Sequence, residues 1–242
     1  MGTIVAIGGG EIGLGETFEI DRAIVEMAGK GKVRPRHLFI PTASGEPETY
    51  IDTVRDVYEG RLGCDCEVLR LKGGGDNDSA IRRKILDADI IYVGGGNTRM
   101  MLAEWKSRGI DALLREAHGR GAILSGLSAG AVCWFKRAVS DSNSFVGGEE
   151  WDYCHVDCLG FLPGSLTPHY GVRKVEDRFW RFMRTTTGKT LAIDNNCALV
   201  IEGDRFRVLR TRPDANAYVI TGRHGELVEE ELKDRGEAGR FH

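Results

Sequence analysis

The chain is predicted to be an α/β protein, with a mostly parallel central sheet, helices on both faces and additional short C-terminal strands. Three observations predict this. Short β-branched apolar runs alternate with stretches of helical spacing, the pattern of a parallel sheet with crossover helices. Several runs stop in glycines, as tight turns at strand ends do. One of them, Ile123 to Leu127, enters Gly126-Leu127-Ser128-Ala129-Gly130, the G-x-S-x-G pattern of a strand turning abruptly into a helix. With 242 residues and 41% hydrophobic composition the sequence can build a sizeable core, and a single domain over residues 1–242 is expected.

Thr3 to Ile7 reads as a buried first strand closing in Gly8-Gly9-Gly10. Ile20, Ala23, Ile24 and Met27 mark the next helix, ended by Gly29-Lys30-Gly31. His37 to Pro41 is the second strand and Thr42 to Gly45 a loop; Pro47 then opens a helix carrying Tyr50, Ile51, Val54, Val57 and Tyr58. Cys66 to Leu71 is the third strand. After the turn Lys72 to Asp76, Asp78 or Ser79 caps a helix buried through Ile81, Ile85 and Leu86. Ile90 to Val93 runs into Gly94-Gly95-Gly96-Asn97-Thr98, and the helix beyond packs Met100, Met101, Leu102 and Trp105. A helix from Ile110 to His118 leads to the strand that ends at Ser128. Ser140 to Asn143 and Gly147-Gly148 read as loop, Trp151 to Pro163 as irregular, and Ser165 to Tyr170 as a short extended piece. One helix is expected over Arg173 to Arg184, with Val175, Phe179, Phe182 and Met183 on its apolar face. Thr190 to Ile193, Cys197 to Ile201, Arg205 to Leu209 and Tyr218 to Thr221 read as short strands that extend the sheet or cap its edge. Their turn signals are Gly203-Asp204 and Arg223-His224-Gly225, and the charged stretch Glu229 to Arg240 is expected to be frayed or solvated.

A formal charge of −3, with no basic run or aromatic platform, argues against a nucleic-acid partner. No apolar stretch reaches the roughly 18 to 20 residues that span a bilayer, and the start lacks a signal peptide's pattern. A cytoplasmic protein without a membrane partner is expected. Met1-Gly2 resembles a myristoylation start, but Val5 to Gly8 read as a buried strand and its end, which discounts it. The cysteines are scattered through a chain long enough not to need staples, so reduced thiols are expected. Cys154-His155-Val156-Asp157-Cys158 lacks a second ligand pair, and no metal is expected. Gly8, Gly10 and Gly13 satisfy G-x-G-x-x-G. The segment nevertheless stays Gly-rich through Gly15 instead of opening a helix, and no acidic residue ends the next strand, so no dinucleotide or other cofactor is expected.

Ligands of such sheets bind at the carboxyl ends of the strands, where Gly94 to Asn97 and Ser128 both fall. Ser128 is the candidate nucleophile: β-carbons at Gly126 or Gly130 would crowd the turn, and the helix start offers N–H groups to a developing oxyanion. His169, in Pro168-His169-Tyr170, is the candidate base. It follows a proline that restrains the approach to it and lies in a polar extended stretch, with His155 as its rival.

The first strand with its glycines, Val93 to Thr98, Gly126 to Ala131, Thr167 to Tyr170 and Ile193 to Leu199 together resemble the serine peptidases of the peptidase E (aspartyl dipeptidase) family, with cyanophycinase as a more distant relative. The resemblance runs over most of the chain. It implies the class I glutamine amidotransferase-like fold with serine in place of the usual cysteine. It further implies a small peptide substrate, an acyl-enzyme on Ser128, a homodimer, and oxyanion donors from the backbone N–H of Ala129 and of Gly96 or Gly95. For the residue orienting His169 it offers two places. Asp141, shortly after the elbow helix, is preferred here and fits if a small length difference is allowed; Asn195 matches the position of a glutamate, with Asp194 just before it. Asn195 can orient a neutral imidazole but cannot stabilise imidazolium by charge. The family prototype takes dipeptides with an N-terminal aspartate, which requires a cation for the side-chain carboxylate and an acceptor for the free amine. Arg173, Lys174 and Arg178 are candidates for the cation, and Asn97 at the loop edge is a further substrate-binding candidate.

Other readings stay open at this stage: an esterase or cyanophycin-like hydrolase with the same machinery, a dinucleotide-binding module on Gly8 to Gly13, and a non-catalytic relative, for which Asn195 is the hint.

Overall fold

Strands whose side chains are apolar on both faces need cover on both faces. The computed structural model, which describes residues 2–29, 31–146, 151–223, 226–233 and 239–240, provides that cover with helices and a second sheet. The first half alternates strand and helix: β1 (Thr3–Ile7), α1 (Phe18–Ala28), β2 (Arg36–Ile40), α2 (Glu48–Arg55), β3 (Asp65–Val68), α3 (Asp78–Asp87), β4 (Ile90–Val93), α4 (Thr98–Ser107), α5 (Ile110–Gly119), β5 (Ile123–Leu127) and the one-turn α6 (Ala129–Val132). The second half is richer in strands: β6 (Phe135–Ser140), β7 (Cys154–Asp157), β8 (Leu162–Thr167), α7 (Tyr170–Arg173), α8 (Asp177–Thr185), β9 (Lys189–Ile193), β10 (Cys197–Glu202), β11 (Arg205–Arg210), β12 (Ala217–Arg223), β13 (Glu226–Glu231) and β14 (Gly239–Arg240).

In the main sheet β1, β5, β4, β2 and β3 lie side by side in parallel, and β10, β11 and β14 continue it antiparallel from β1. Alternation along each strand divides the side chains between two cores. Ile4, Ala6, Ile91 and Val93 face Ile81 of α3, Met101 and Trp105 of α4 and Leu114 of α5. Val5, Ile7, Ile90 and Tyr92 face Ile20 and Ile24 of α1 and Ile51 and Val54 of α2. The predicted class, a mostly parallel sheet with helices on both faces, is the observed one. Among the described residues no helix is long and apolar enough to cross a membrane.

The later strands divide between two sheets. β10 and β11 extend the main sheet, whereas β9, β12 and β13 join β8, β6 and β7 in a second one. That sheet sends Phe135, Leu166, Leu191 and Ala217 into the first core, and Val139, Ala192 and Ile220 towards Phe179 and Met183 of α8. Trp151 to Pro163, read as irregular, holds β7 and the start of β8; Gly160 and Pro163-Gly164 break the alternation that would mark them. The single helix expected over Arg173 to Arg184 is two, and Val175 lies exposed in the break. Asn77 caps α3, instead of Asp78 or Ser79, its side chain accepting from the Ala80 N–H at 3.0 Å. Part of the charged stretch expected to fray pairs with β12 as β13. The loop glycines 147–148 and the turn residues 224–225 lie outside the described residues.

Candidate active site

β5 hands the chain to α6 at Ser128, whose φ of 57° and ψ of −111° are sparsely populated for any residue with a side chain. Its N–H prolongs the strand pairing by donating to the Ile7 carbonyl at 3.0 Å, while its own carbonyl accepts from Val132 at 3.0 Å. A Cβ on Gly126 would strike the Gly130 carbonyl, and one on Gly130 would strike the Val93 carbonyl. The glycines therefore let the turn press against the end of β4.

His169 follows β8 in left-handed backbone (φ 53°), with its N–H donating to the Gly8 carbonyl at 3.0 Å. The ring meets two partners. The Ser128 hydroxyl donates to Nε2 at 2.8 Å, and Nδ1–H donates to Oδ1 of Asn195 at 2.7 Å. An amide oxygen only accepts, so this second bond keeps the proton on Nδ1 and leaves Nε2 as the basic nitrogen. Burial holds the imidazole below the ordinary histidine range, against the opposing pull of the Asn195 bond, so the ring is neutral near pH 7.

The expected contact between Asp141 and His169 is corrected by this geometry. Asp141 follows β6 and pairs with Arg173 at 3.1 Å, whereas Asn195 follows β9 and reaches the histidine. Asp194 turns elsewhere, accepting from the Asn216 N–H at 3.0 Å, and burial raises its pKa. The cations offered for a substrate carboxylate are also engaged. Buried Arg173 donates to the Val139 carbonyl at 2.9 Å and to Thr167 Oγ1 at 3.1 Å besides its bond to Asp141. Lys174 Nζ lies 5.4 Å from the Tyr170 and Tyr218 ring centres, and Arg178 pairs with Glu176 at 2.6 Å. Asn97 caps α4, accepting from the Met100 N–H at 3.1 Å.

Beside Ser128 runs the loop after β4. A Cβ on Gly95 would lie 3.4 Å from that of Ser128, so loop and serine are in contact. Gly94 N–H donates to the Ile40 carbonyl at 3.1 Å, Gly95 N–H to the Tyr50 hydroxyl at 3.4 Å, and Asn97 N–H to the Ala43 carbonyl at 2.8 Å. The Gly96 N–H has no protein acceptor among the described residues. Ala129, first in α6, likewise has no intrahelical acceptor for its N–H.

Sequence reasoning did not pick out Gly9 and Tyr50. A Cβ on Gly9 would run into Asn195 Oδ1 and His169 Nδ1, and one on Gly8 into the carbonyls of Ile193 and Asp194. These glycines serve the close approach of His169 and residues 193–196 to the end of β1. Three successive glycines at a strand end were the available signal. On β7 and just beyond, Cys154 Sγ accepts from Arg99 at 3.3 Å, His155 Nε2 meets the Thr186 hydroxyl at 3.3 Å, and the Cys158 thiol donates to the Val156 carbonyl at 3.3 Å. A cleft of about 900 Å³ bordered by Ile4, Phe135, Phe161, Leu191, Ile201 and Phe206 opens at the opposite, amino ends of the parallel strands and contains none of the residues around Ser128.

A serine on a strained strand-to-helix turn at the edge of a parallel α/β sheet, bonded to a histidine, is an arrangement that could carry acyl transfer. The model of peptidase family S51 matches residues 4–209, and the chain belongs to that family of peptidases. The uncharacterized peptidase YgaJ of Bacillus subtilis is 34% identical over 235 residues, which cover 95% of this chain and 96% of that protein. Peptidase E of Shewanella denitrificans is 27% identical over 226 residues, 88% of this chain and 90% of its own. The crystal structure of a peptidase from an acI-B1 actinobacterium shares the fold, with a TM-score of 0.77 at 23% identity over 100% of this chain and 97% of that one.

Proposed function

We propose that the chain is a serine-type exopeptidase that hydrolyses short peptides, with Ser128 as nucleophile, His169 as general base and Asn195 as the residue that orients it. The observation that carries this reading is the unbroken line of hydrogen bonds from Ser128 Oγ through both ring nitrogens of His169 to Asn195, at 2.8 and 2.7 Å. Ser128 Oγ attacks the peptide carbonyl carbon while His169 Nε2 takes the hydroxyl proton. The oxyanion that forms is held by the N–H of Ala129 and of Gly96, with the Gly95 N–H beside them. His169 returns the proton to the departing amine as the C–N bond breaks. Water, deprotonated by His169, then attacks the acyl carbon, and Ser128 leaves with the proton restored. Membership of a peptidase family supports a peptide as the substrate over an ester.

Hydrolysis of a panel of X-Leu dipeptides tests the proposal. Ser128→Ala removes only the hydroxyl, so the variant is expected to keep its Tm and to lose kcat/KM by about 10⁴-fold or more. Undiminished turnover in the folded variant contradicts it.

A further inference from the structure

The loop after β4 lies against the connection from β2 to α2 and against the first turn of α2. Along the loop, Gly94 and Asn97 give their N–H groups to backbone carbonyls, those of Ile40 at 3.1 Å and Ala43 at 2.8 Å. Gly95, between them, gives its N–H to a side chain instead, the Tyr50 hydroxyl at 3.4 Å. A Cβ on Gly96, whose φ is 136°, would strike the Ala43 carbonyl. The buried Trp105 ring of α4 fastens the same connection by donating to Thr42 Oγ1 at 3.2 Å.

Tyr50 is itself firmly placed. Its ring meets Phe39 edge-on with centroids 5.1 Å apart, and a Cβ on Gly94 would come within 2.9 Å of Tyr50 Cε1, so ring and loop touch. Ile51 and Val54 bury the helix that carries it, and Glu48 in its first turn pairs with Arg70 at 2.6 Å. Burial pushes the Tyr50 hydroxyl up to about 12, so it stays a neutral phenol at working pH. On its other side Gly95 touches the nucleophile, since a Cβ there would lie 3.4 Å from that of Ser128. One residue thus separates Tyr50 from the serine.

We infer that Tyr50 is a positioning residue for the oxyanion site: by holding the Gly95 N–H it fixes the loop so that the Gly96 N–H is offered to the substrate carbonyl. The inference rests on the acyl-transfer mechanism proposed above. Each peptide group is a rigid plane, so bonds to the Gly95 and Asn97 N–H groups set the planes on either side of the one that carries the Gly96 N–H. Without the hydroxyl the Gly95 plane is free to turn, and three successive glycines resist that turning little. A donor displaced by about 1 Å fails the oxyanion most, because full charge reaches that oxygen only as Ser128 attacks. Tyr50 therefore acts on the transition state and leaves binding of the uncleaved peptide nearly untouched.

Tyr50→Phe, which keeps the ring and removes the hydroxyl, tests this on the best X-Leu dipeptide. With the Tm confirming a folded variant, kcat is expected to fall about 10- to 100-fold while KM stays within about 3-fold. The aldehyde analogue of the dipeptide's first residue supplies a second readout. Ser128 Oγ adds to its carbonyl, the hydroxyl proton passes to His169, and the resulting hemiacetal oxygen occupies the oxyanion site. Its inhibition constant is expected to rise by about the same factor as kcat falls. The acid limb of the pH profile should not move, since His169 is untouched. An undiminished kcat, a loss carried by KM with unchanged aldehyde inhibition, or a shifted acid limb overturns the role of Tyr50 while the hydrolase reading stands. Dipeptide cleavage that survives Ser128→Ala removes the mechanism and the inference with it.

Discussion

With Asn195 bonded to His169, the proposed site departs from a carboxylate-assisted triad. An amide oxygen fixes the imidazole tautomer by accepting from Nδ1, but adds no negative charge to hold the imidazolium that the proposed attack would form. Two consequences can be measured on one good dipeptide. Asn195→Ala should lower kcat/KM by about 10²- to 10⁴-fold, because the ring loses its orientation, whereas Asp141→Asn, which disturbs a pair with Arg173, should cost far less. In the pH profile, activity requires neutral His169, whose pKa burial depresses, so the acid limb should lie below the ordinary histidine range. Asn195→Asp places a charge beside the ring and favours imidazolium, which moves that limb to higher pH. A crippled Asp141→Asn beside a near-normal Asn195→Ala would return the orienting role to Asp141.

At the scale of elements, the start of α1 is tied to the helical turn after α2 by a buried polar group. Asp21 is fully buried and accepts from the Thr17 and Tyr58 hydroxyls, both at 2.8 Å. Burial pushes its pKa up to about 7, above the 3.8 of a free aspartate. The stability this proton contributes is therefore present at acid pH and lost as pH rises from about 4 to about 7. His37, stacked on Tyr58 at 3.8 Å, works in the opposite sense: burial pushes its pKa down to about 3, so its contribution is lost as pH falls below 6.5. The two partly cancel, and a single variant separates them. Relative to the unmodified protein, Asp21→Asn should gain in Tm between about pH 5 and about pH 8, since it carries no ionisation to suppress. An equal Tm difference at both pH values would mean that Asp21 is ionised throughout.

Over the whole molecule, what could be read from the sequence was what is local. Each strand-helix unit up to Ser128 carries its own periodicity and its own stop signal, and the parallel half of the fold followed from them. Ser128 and His169, which the structure brings within hydrogen-bond distance, stood out as candidates for the same reason, since a turn motif and a proline-flanked histidine are each local signals. The second sheet was not legible. β9 and β12 read as strands, but β6 is interrupted by Lys136-Arg137 and β8 by Gly164, and the pairing of all four is defined by partners far along the chain. That also hid the partner of His169: whether residue 141 or residue 195 reaches the ring depends on where β6 and β9 are placed, which no local pattern records. Gly8 to Gly10 looked like a nucleotide motif because a close backbone approach asks for glycine whatever it approaches. The central claim is that Ser128 is a nucleophile activated by His169, and intact-protein mass spectrometry after treatment with a fluorophosphonate tests it most directly. One adduct is expected, mapped to Ser128, absent from Ser128→Ala and formed much more slowly in His169→Ala. No adduct on the folded protein, or one that persists in Ser128→Ala, would contradict it.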